Sequence, residues 1–131
     1  IQNFKTLRNY GGALIPGPLQ AASAALWKDN THVEKNRALY RQKFDCADQI
    51  LAGRFDYYRP AGGFYLWLNV GNSEEVTKTL WREAGVRVIP GNYLAQTDVS
   101  GVNPGAGFIR IALVQKPEFI EEALNRITET L

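Results

Sequence analysis

The sequence predicts an α+β fold, a few short strands set among longer helices, and three observations predict it. Apolar residues recur at helical spacing over several separate stretches. The segments "FYLWLNV" and "GFIRIALV" instead carry aromatic and β-branched residues at strand spacing. Glycine and proline fall between the two kinds of segment, where turns are needed. With 131 residues, 45% of them hydrophobic, the chain can bury the core of one domain.

The first element is a helix from Ile1 to Tyr10, ended by Gly11 and Gly12. Ile1, Phe4 and Leu7 follow a stripe whose register reads as already begun, so the chain is expected to be part of a longer protein. In "IPGPLQAASAALWK", Pro18 suits a first helical turn, and the alanine-rich run to Lys28 has high helix propensity. Thr31 and Glu34 have capping-box spacing at the head of a long third helix. Its stripe is Val33, Tyr40, Phe44, Ala47 and Leu51, and Gly53 ends it.

The second half turns to strands. Pro60 and the pair Gly62 and Gly63 lead into a strand from Phe64 to about Val70. Asn72 and Glu75 resemble a second capping box, opening a helix with Val76, Leu80, Trp81 and Ala84 that Gly85 stops. "VRVIP" reads as a short strand. "GNYLAQTDVSGVNPGAG" has the composition of a long loop, and a loop of that length in a compact domain is usually functional or mobile. It leads into the strand of "FIRIALV". Pro117 then starts a last helix with Ile120, Leu124, Ile127 and Leu131 on its buried stripe.

Composition removes several classes of function. Lys plus Arg number 15 against 13 Asp plus Glu, with no basic block, so nucleic acid and anionic membrane are poor partners. No apolar run approaches the roughly 18 residues of a spanning helix, and no signal peptide is recognisable at the N-terminus. A soluble, cytoplasmic protein is expected. Cys46 is the sole cysteine, which excludes an internal disulfide and a cysteine-rich zinc site.

Single motifs mostly read as structure. "GVNPGAG" precedes a strand and lacks the Gly-Lys-Ser/Thr of a phosphate loop. His32, the lone histidine, lies at a polar helix start with no second ligand, so no metal site is expected. Asp45 and Asp48, three apart on a helix, read as structural carboxylates. No Ser, His and Asp set has the setting of a hydrolase. Arg110 is different. Ile109, Ile111 and Leu113 share one strand face, while Phe108, Arg110, Ala112 and Val114 share the other. A guanidinium buried there without an anion would lose roughly several kcal/mol, so it faces either an acidic side chain or a ligand carboxylate.

Taken together, "YGGALIPGPLQAASAAL", "PAGGFYLWLNV", "EAGVRVIPGNYL", "GFIRIALV" and "PEFIEEALNRI" resemble, in order, the C-terminal part of the class I/II aminotransferases, the fold-type-I enzymes that use pyridoxal phosphate. The resemblance implies a C-terminal small domain, with a short, mainly antiparallel sheet covered by helices, within an enzyme that is α/β as a whole. Residues 1–30 would be the helical edge following the cofactor-binding domain, and residues 31–131 the small domain. In this family the arginine of the "IRIAL" strand grips the substrate α-carboxylate, which assigns Arg110 as substrate-binding. The family's Schiff-base lysine sits in a serine- and lysine-containing motif that none of Lys5, Lys28, Lys35, Lys43, Lys78 or Lys116 matches. No catalytic residue is therefore expected in this chain, and pyridoxal 5'-phosphate is not expected to be held by it alone.

The loop from Tyr10 to Pro18, with Tyr10, Gly11 and Gly12 at its start, matches a family segment near the neighbouring subunit's active site, which implies a homodimer. "YLAQ" with "NPGAG" resembles the succinyldiaminopimelate aminotransferase branch. That branch transfers an amino group from N-succinyl-L,L-diaminopimelate to 2-oxoglutarate in bacterial lysine and diaminopimelate synthesis. Another class I/II transaminase, an aminotransferase-like ligand-sensing domain of a transcription regulator, and a stand-alone binding domain are the alternatives.

Overall fold

A computed structural model describes residues 1–12 and 15–131. The chain divides into two compact units, Ile1–Asn36 and Arg37–Leu131. In the first unit, helix α1 (Gln2–Gly11) and helix α2 (Gly17–Lys28) bury no residue. Pro18 stands in the first turn of α2, where its missing N–H costs no helical hydrogen bond. Helix α3 (Thr31–Leu51) begins in the first unit and runs into the second. At its start, Asp29 Oδ1 accepts from the Thr31 backbone N–H at 2.9 Å, and the hydrogen bonds from Thr31 hold the Asp29 carboxyl below its usual range.

The second unit is built on a three-stranded sheet in the order β1 (Tyr65–Asn69), β3 (Phe108–Ala112), β2 (Ile89–Pro90), antiparallel throughout. The "VRVIP" strand is shorter than expected, since only Ile89 and Pro90 pair. Period 2 sorts the sheet into two faces. Leu66, Leu68, Ile109 and Ile111 are buried, and they join Phe44, Ala47 and Leu51 of α3 in one core with Ile120, Leu124 and Ile127 of helix α5 (Pro117–Thr130). This is the expected α+β architecture.

Helix α4 (Ser73–Thr79) opens as its sequence implies, with the Asn72 side chain accepting from the Glu75 N–H at 3.2 Å and donating to its carboxylate at 3.3 Å. It does not stay α-helical to Gly85. A π-helical turn occupies Leu80–Ala84, which buries Leu80 and Ala84 while Trp81 stays 53% exposed beneath Arg87. Leu131, expected on the buried stripe of α5, lies past the helix end and is exposed. Among the described residues no helix is long and apolar enough to cross a membrane.

Among the described residues Lys43 is the buried charged side chain of the core. It lies on the stripe of Tyr40, Phe44 and Ala47 and is 7% exposed, with its ammonium donating to the Leu113 carbonyl at 2.7 Å and resting 4.7 Å from the Tyr40 ring centre. A lysine stem covers apolar surface while its head finds a carbonyl at the end of β3. Lys43→Met keeps the stem volume and removes that charged hydrogen bond, so it should lower unfolding free energy by about 1.5–3 kcal/mol. Urea denaturation of the full-length protein checks this, and a loss below about 0.5 kcal/mol would show that the bond adds nothing net.

Candidate functional site

Arg110 stands on the central strand of the sheet, on the face away from the core. Its neighbours there follow from register. Trp67 of β1 and Ile89 of β2 are its paired residues, and Tyr65 lies on its diagonal, paired with Ala112. The guanidinium carbon sits 4.7 Å from the Tyr65 ring centre and 5.5 Å from that of Phe64. The Trp67 ring instead stacks on Phe108, with centres 5.5 Å apart and planes within 9° of parallel.

Arg110, Tyr58, Tyr65, Trp67 and Leu94 line a cavity of about 500 Å³. No acid lines it. Among the described residues the Arg110 side chain forms no ion pair and no hydrogen bond, so the acidic partner that sequence left open is not there. A half-buried cation whose N–H groups are unspent is a site for an external anion, and the planar fork matches a carboxylate bidentately. Among the described residues the cavity also has no lysine and no second cation, so its donor set does not fit a pyridoxal phosphate by itself.

The long loop between β2 and β3 contributes Leu94 to this cavity and is tied down at several points. Gly91–Tyr93 form a 3₁₀ turn. The Asn103 side chain donates to the Asn92 and Ala95 carbonyls at 3.0 and 3.2 Å, while its oxygen accepts from the Gly105 N–H at 2.8 Å. Ser73 Oγ donates to the Asn92 side chain at 3.1 Å, and that side chain donates to Glu74 at 2.6 Å. Gly91 and Gly105 meet backbone to backbone, where a Cβ on Gly105 would lie 2.2 Å from the Gly91 carbonyl oxygen. The glycines of "GVNPGAG" thus include one required by a chain crossing.

The other singled-out residues lie elsewhere. Tyr10 and Gly11 end α1 and Gly12 caps it through an N–H to the Arg8 carbonyl; all three are in the first unit, and Tyr10 is 91% exposed. The matched segment also includes Ala13 and Leu14, which lie outside the described residues. Asp45 and Asp48 both accept from Arg59, Asp45 at 2.7 Å, and Asp48 also accepts from the Tyr57 hydroxyl. Burial raises the Asp48 carboxyl, but the hydrogen bonds from Tyr57 and Arg59 outweigh it and leave it below the usual range. They are structural carboxylates. His32 is exposed, and among the described residues no metal-binding cluster forms.

Sequence reasoning singled out Arg110 but not the residues around it. The alternation of Tyr65 and Trp67 was the available signal, since it places both on the face that an antiparallel partner at Arg110 would share. Tyr58 and Leu94 carry no such signal, because turns of the chain bring them to the cavity.

Comparison with known proteins gives consistent findings. The family described as aminotransferase class I and II matches residues 5–127. Among solved structures, an aminotransferase from Neisseria meningitidis Z2491 superimposes with a TM-score of 0.89 at 39% identity, covering 98% of this chain and 33% of that one. The transaminase BacF of Bacillus subtilis is 32% identical over 87% of this chain and 28% of its own length. An LL-diaminopimelate aminotransferase of Maridesulfovibrio salexigens is 25% identical over 95% of this chain and 31% of its own length. The chain therefore spans 28–33% of the length of these proteins.

Proposed function

The chain belongs to the class I and II aminotransferases, and we propose that its full-length protein grips the α-carboxylate of an amino-acid or keto-acid substrate through Arg110 during transamination. One observation carries this reading. A guanidinium is held by aromatic faces in an acid-free cavity, with its hydrogen-bond donors unspent. Two parallel N–H···O bonds would fix both the charge and the rotation of the carboxylate, and so aim the Cα–H bond of the substrate. Trp67, Tyr65 and Leu94 would line one side of that ion pair.

Pyridoxal phosphate, when bound, supplies the electron sink for reactions of this kind. The chain is read as the C-terminal part of the enzyme, with residues 1–30 as the helical edge of the cofactor-binding domain and 31–131 as the small domain. Its cofactor-holding and proton-transferring groups then belong to the rest of the protein. The exposed apolar residues of α1, Phe4, Leu7 and Tyr10 among them, support a covered position in the full-length homodimer, with Tyr10, Gly11 and Gly12 near the subunit contact.

For the substrate, we propose N-succinyl-L,L-diaminopimelate as amino donor and 2-oxoglutarate as acceptor. Similarity to an enzyme named for LL-diaminopimelate supports a donor of that type. The check is a donor panel on the full-length enzyme, with N-succinyl-L,L-diaminopimelate, L,L-diaminopimelate, glutamine and phenylalanine against 2-oxoglutarate. The succinylated donor should lead in kcat/KM by at least about tenfold, the scale of one good differential contact in the transition state. A lead by glutamine or phenylalanine would reassign the substrate and leave the role of Arg110 standing.

A further inference from the structure

We infer that Tyr65 is a positioning residue for the carboxylate site, acting through Arg110: its ring fixes the plane of the guanidinium without consuming any of its donors. The inference rests on the reading of Arg110 as the carboxylate anchor and adds a second residue to it. Sheet geometry alone would select Trp67 for this part, because Trp67 is directly opposite Arg110. The Trp67 ring is turned onto Phe108 instead. That leaves the diagonal neighbour, Tyr65, whose ring centre is 4.7 Å from the guanidinium carbon.

Phe64 completes a corner. Its ring stands at 84° to that of Tyr65 with centres 5.8 Å apart, and the guanidinium carbon lies 5.5 Å from it. The corner itself is anchored, since the Leu113 N–H donates to the Phe64 carbonyl at 2.8 Å beside the start of β1. An arginine free to rotate about its long stem presents its fork in many directions, and ordering it on binding would cost affinity. Acidic residues could order it only by spending N–H groups and neutralising its charge. An aromatic face orders it through the ring quadrupole and leaves the N–H edge pointing outward. Among the described residues the Tyr65 hydroxyl makes no hydrogen bond, so the ring and not the hydroxyl is the working part.

The test uses the full-length enzyme, 2-oxoglutarate as the carboxylate probe, and four variants. Tyr65→Phe should keep KM within about twofold of the parent, and Tyr65→Leu should raise it about 5- to 30-fold with kcat changed less than about threefold. Tyr65→Trp, which restores a ring face, should return KM toward the parent, and the melting temperature of each variant reports any loss of fold. Arg110→Lys should raise KM by more than any of these. If Arg110→Lys raises KM but Tyr65→Leu does not, the anchor stands and the positioning role falls. Equal losses in Tyr65→Phe and Tyr65→Leu would assign the effect to the hydroxyl and also overturn it. If neither Arg110→Lys nor Tyr65→Leu moves KM, the carboxylate reading of the cavity is itself wrong.

Discussion

Replacing Arg110 by alanine in the full-length enzyme will lower kcat/KM for amino-acid substrates by roughly 30- to 5,000-fold, the equivalent of about 2–5 kcal/mol for deleting one partner of a desolvated charge pair. The fold should hardly notice. The Arg110 guanidinium donates no hydrogen bond and pairs with no acid among the described residues, so its removal orphans no buried group. What it forfeits in the unliganded protein is its contact with Tyr65 and Phe64, about 1 kcal/mol for cation–π stacking at a half-exposed site. A structural arginine behaves in the opposite way, because losing it strands its acid and lowers stability. Arg110→Lys separates charge from geometry, since it keeps the cation and loses the planar fork. The measurements are steady-state kinetics with an amino donor and thermal unfolding of the same preparations. A variant with unchanged kcat/KM and a depressed melting temperature would make Arg110 a residue of the fold alone.

The part of this fold legible in the sequence is the part encoded locally. Period 2 separated Ile109 and Ile111 from Arg110, and the structure places the first two in the core and the third on the opposite face. Stripe spacing found the buried side of α5 at Ile120, Leu124 and Ile127, and proline and Asn72 marked helix starts that the backbone adopts. Failures came where two distant segments meet. Lys43 is buried because Leu113, 70 residues later, offers a carbonyl to its ammonium, and no local pattern states that. The platform under Arg110 depends on which ring Trp67 chooses to stack on, a choice made by Phe108 across the sheet. Phe55 adopts a positive φ of 55° without being a glycine, which propensity argues against, beside Asp56 at 49°, a residue type that tolerates that region better. The carboxylate-binding role of Arg110 was suggested by family resemblance; spacing alone established only that a cation sits on an apolar face.

Gly105→Ala will destabilise the protein by about 3 kcal/mol, at the upper end for overpacking, because the new methyl group has nowhere to go. Its Cβ would sit 2.2 Å from the Gly91 carbonyl oxygen and 2.5 Å from the carbonyl carbon, both backbone atoms that no rotamer change can move. Gly91→Ala meets the same crossing from the other side, at 2.5 Å from the Gly105 oxygen, 2.6 Å from the Phe108 oxygen and 2.8 Å from the Trp67 ring. Relief requires the loop to lift from the end of β3, and that end carries Phe108, two residues before Arg110. Activity should therefore fall further than the folded fraction does, since the cavity wall made by Trp67 and Leu94 shifts with the loop. Gly62→Ala is the control: a Cβ there meets nothing within 4 Å, and its effect should stay within about 0.5 kcal/mol. Urea denaturation and kcat/KM on the three variants of the full-length enzyme decide the matter. If Gly105→Ala unfolds at the same midpoint as Gly62→Ala, the two backbones do not cross as closely as the structure places them, and the loop is not what holds Leu94 beside Arg110.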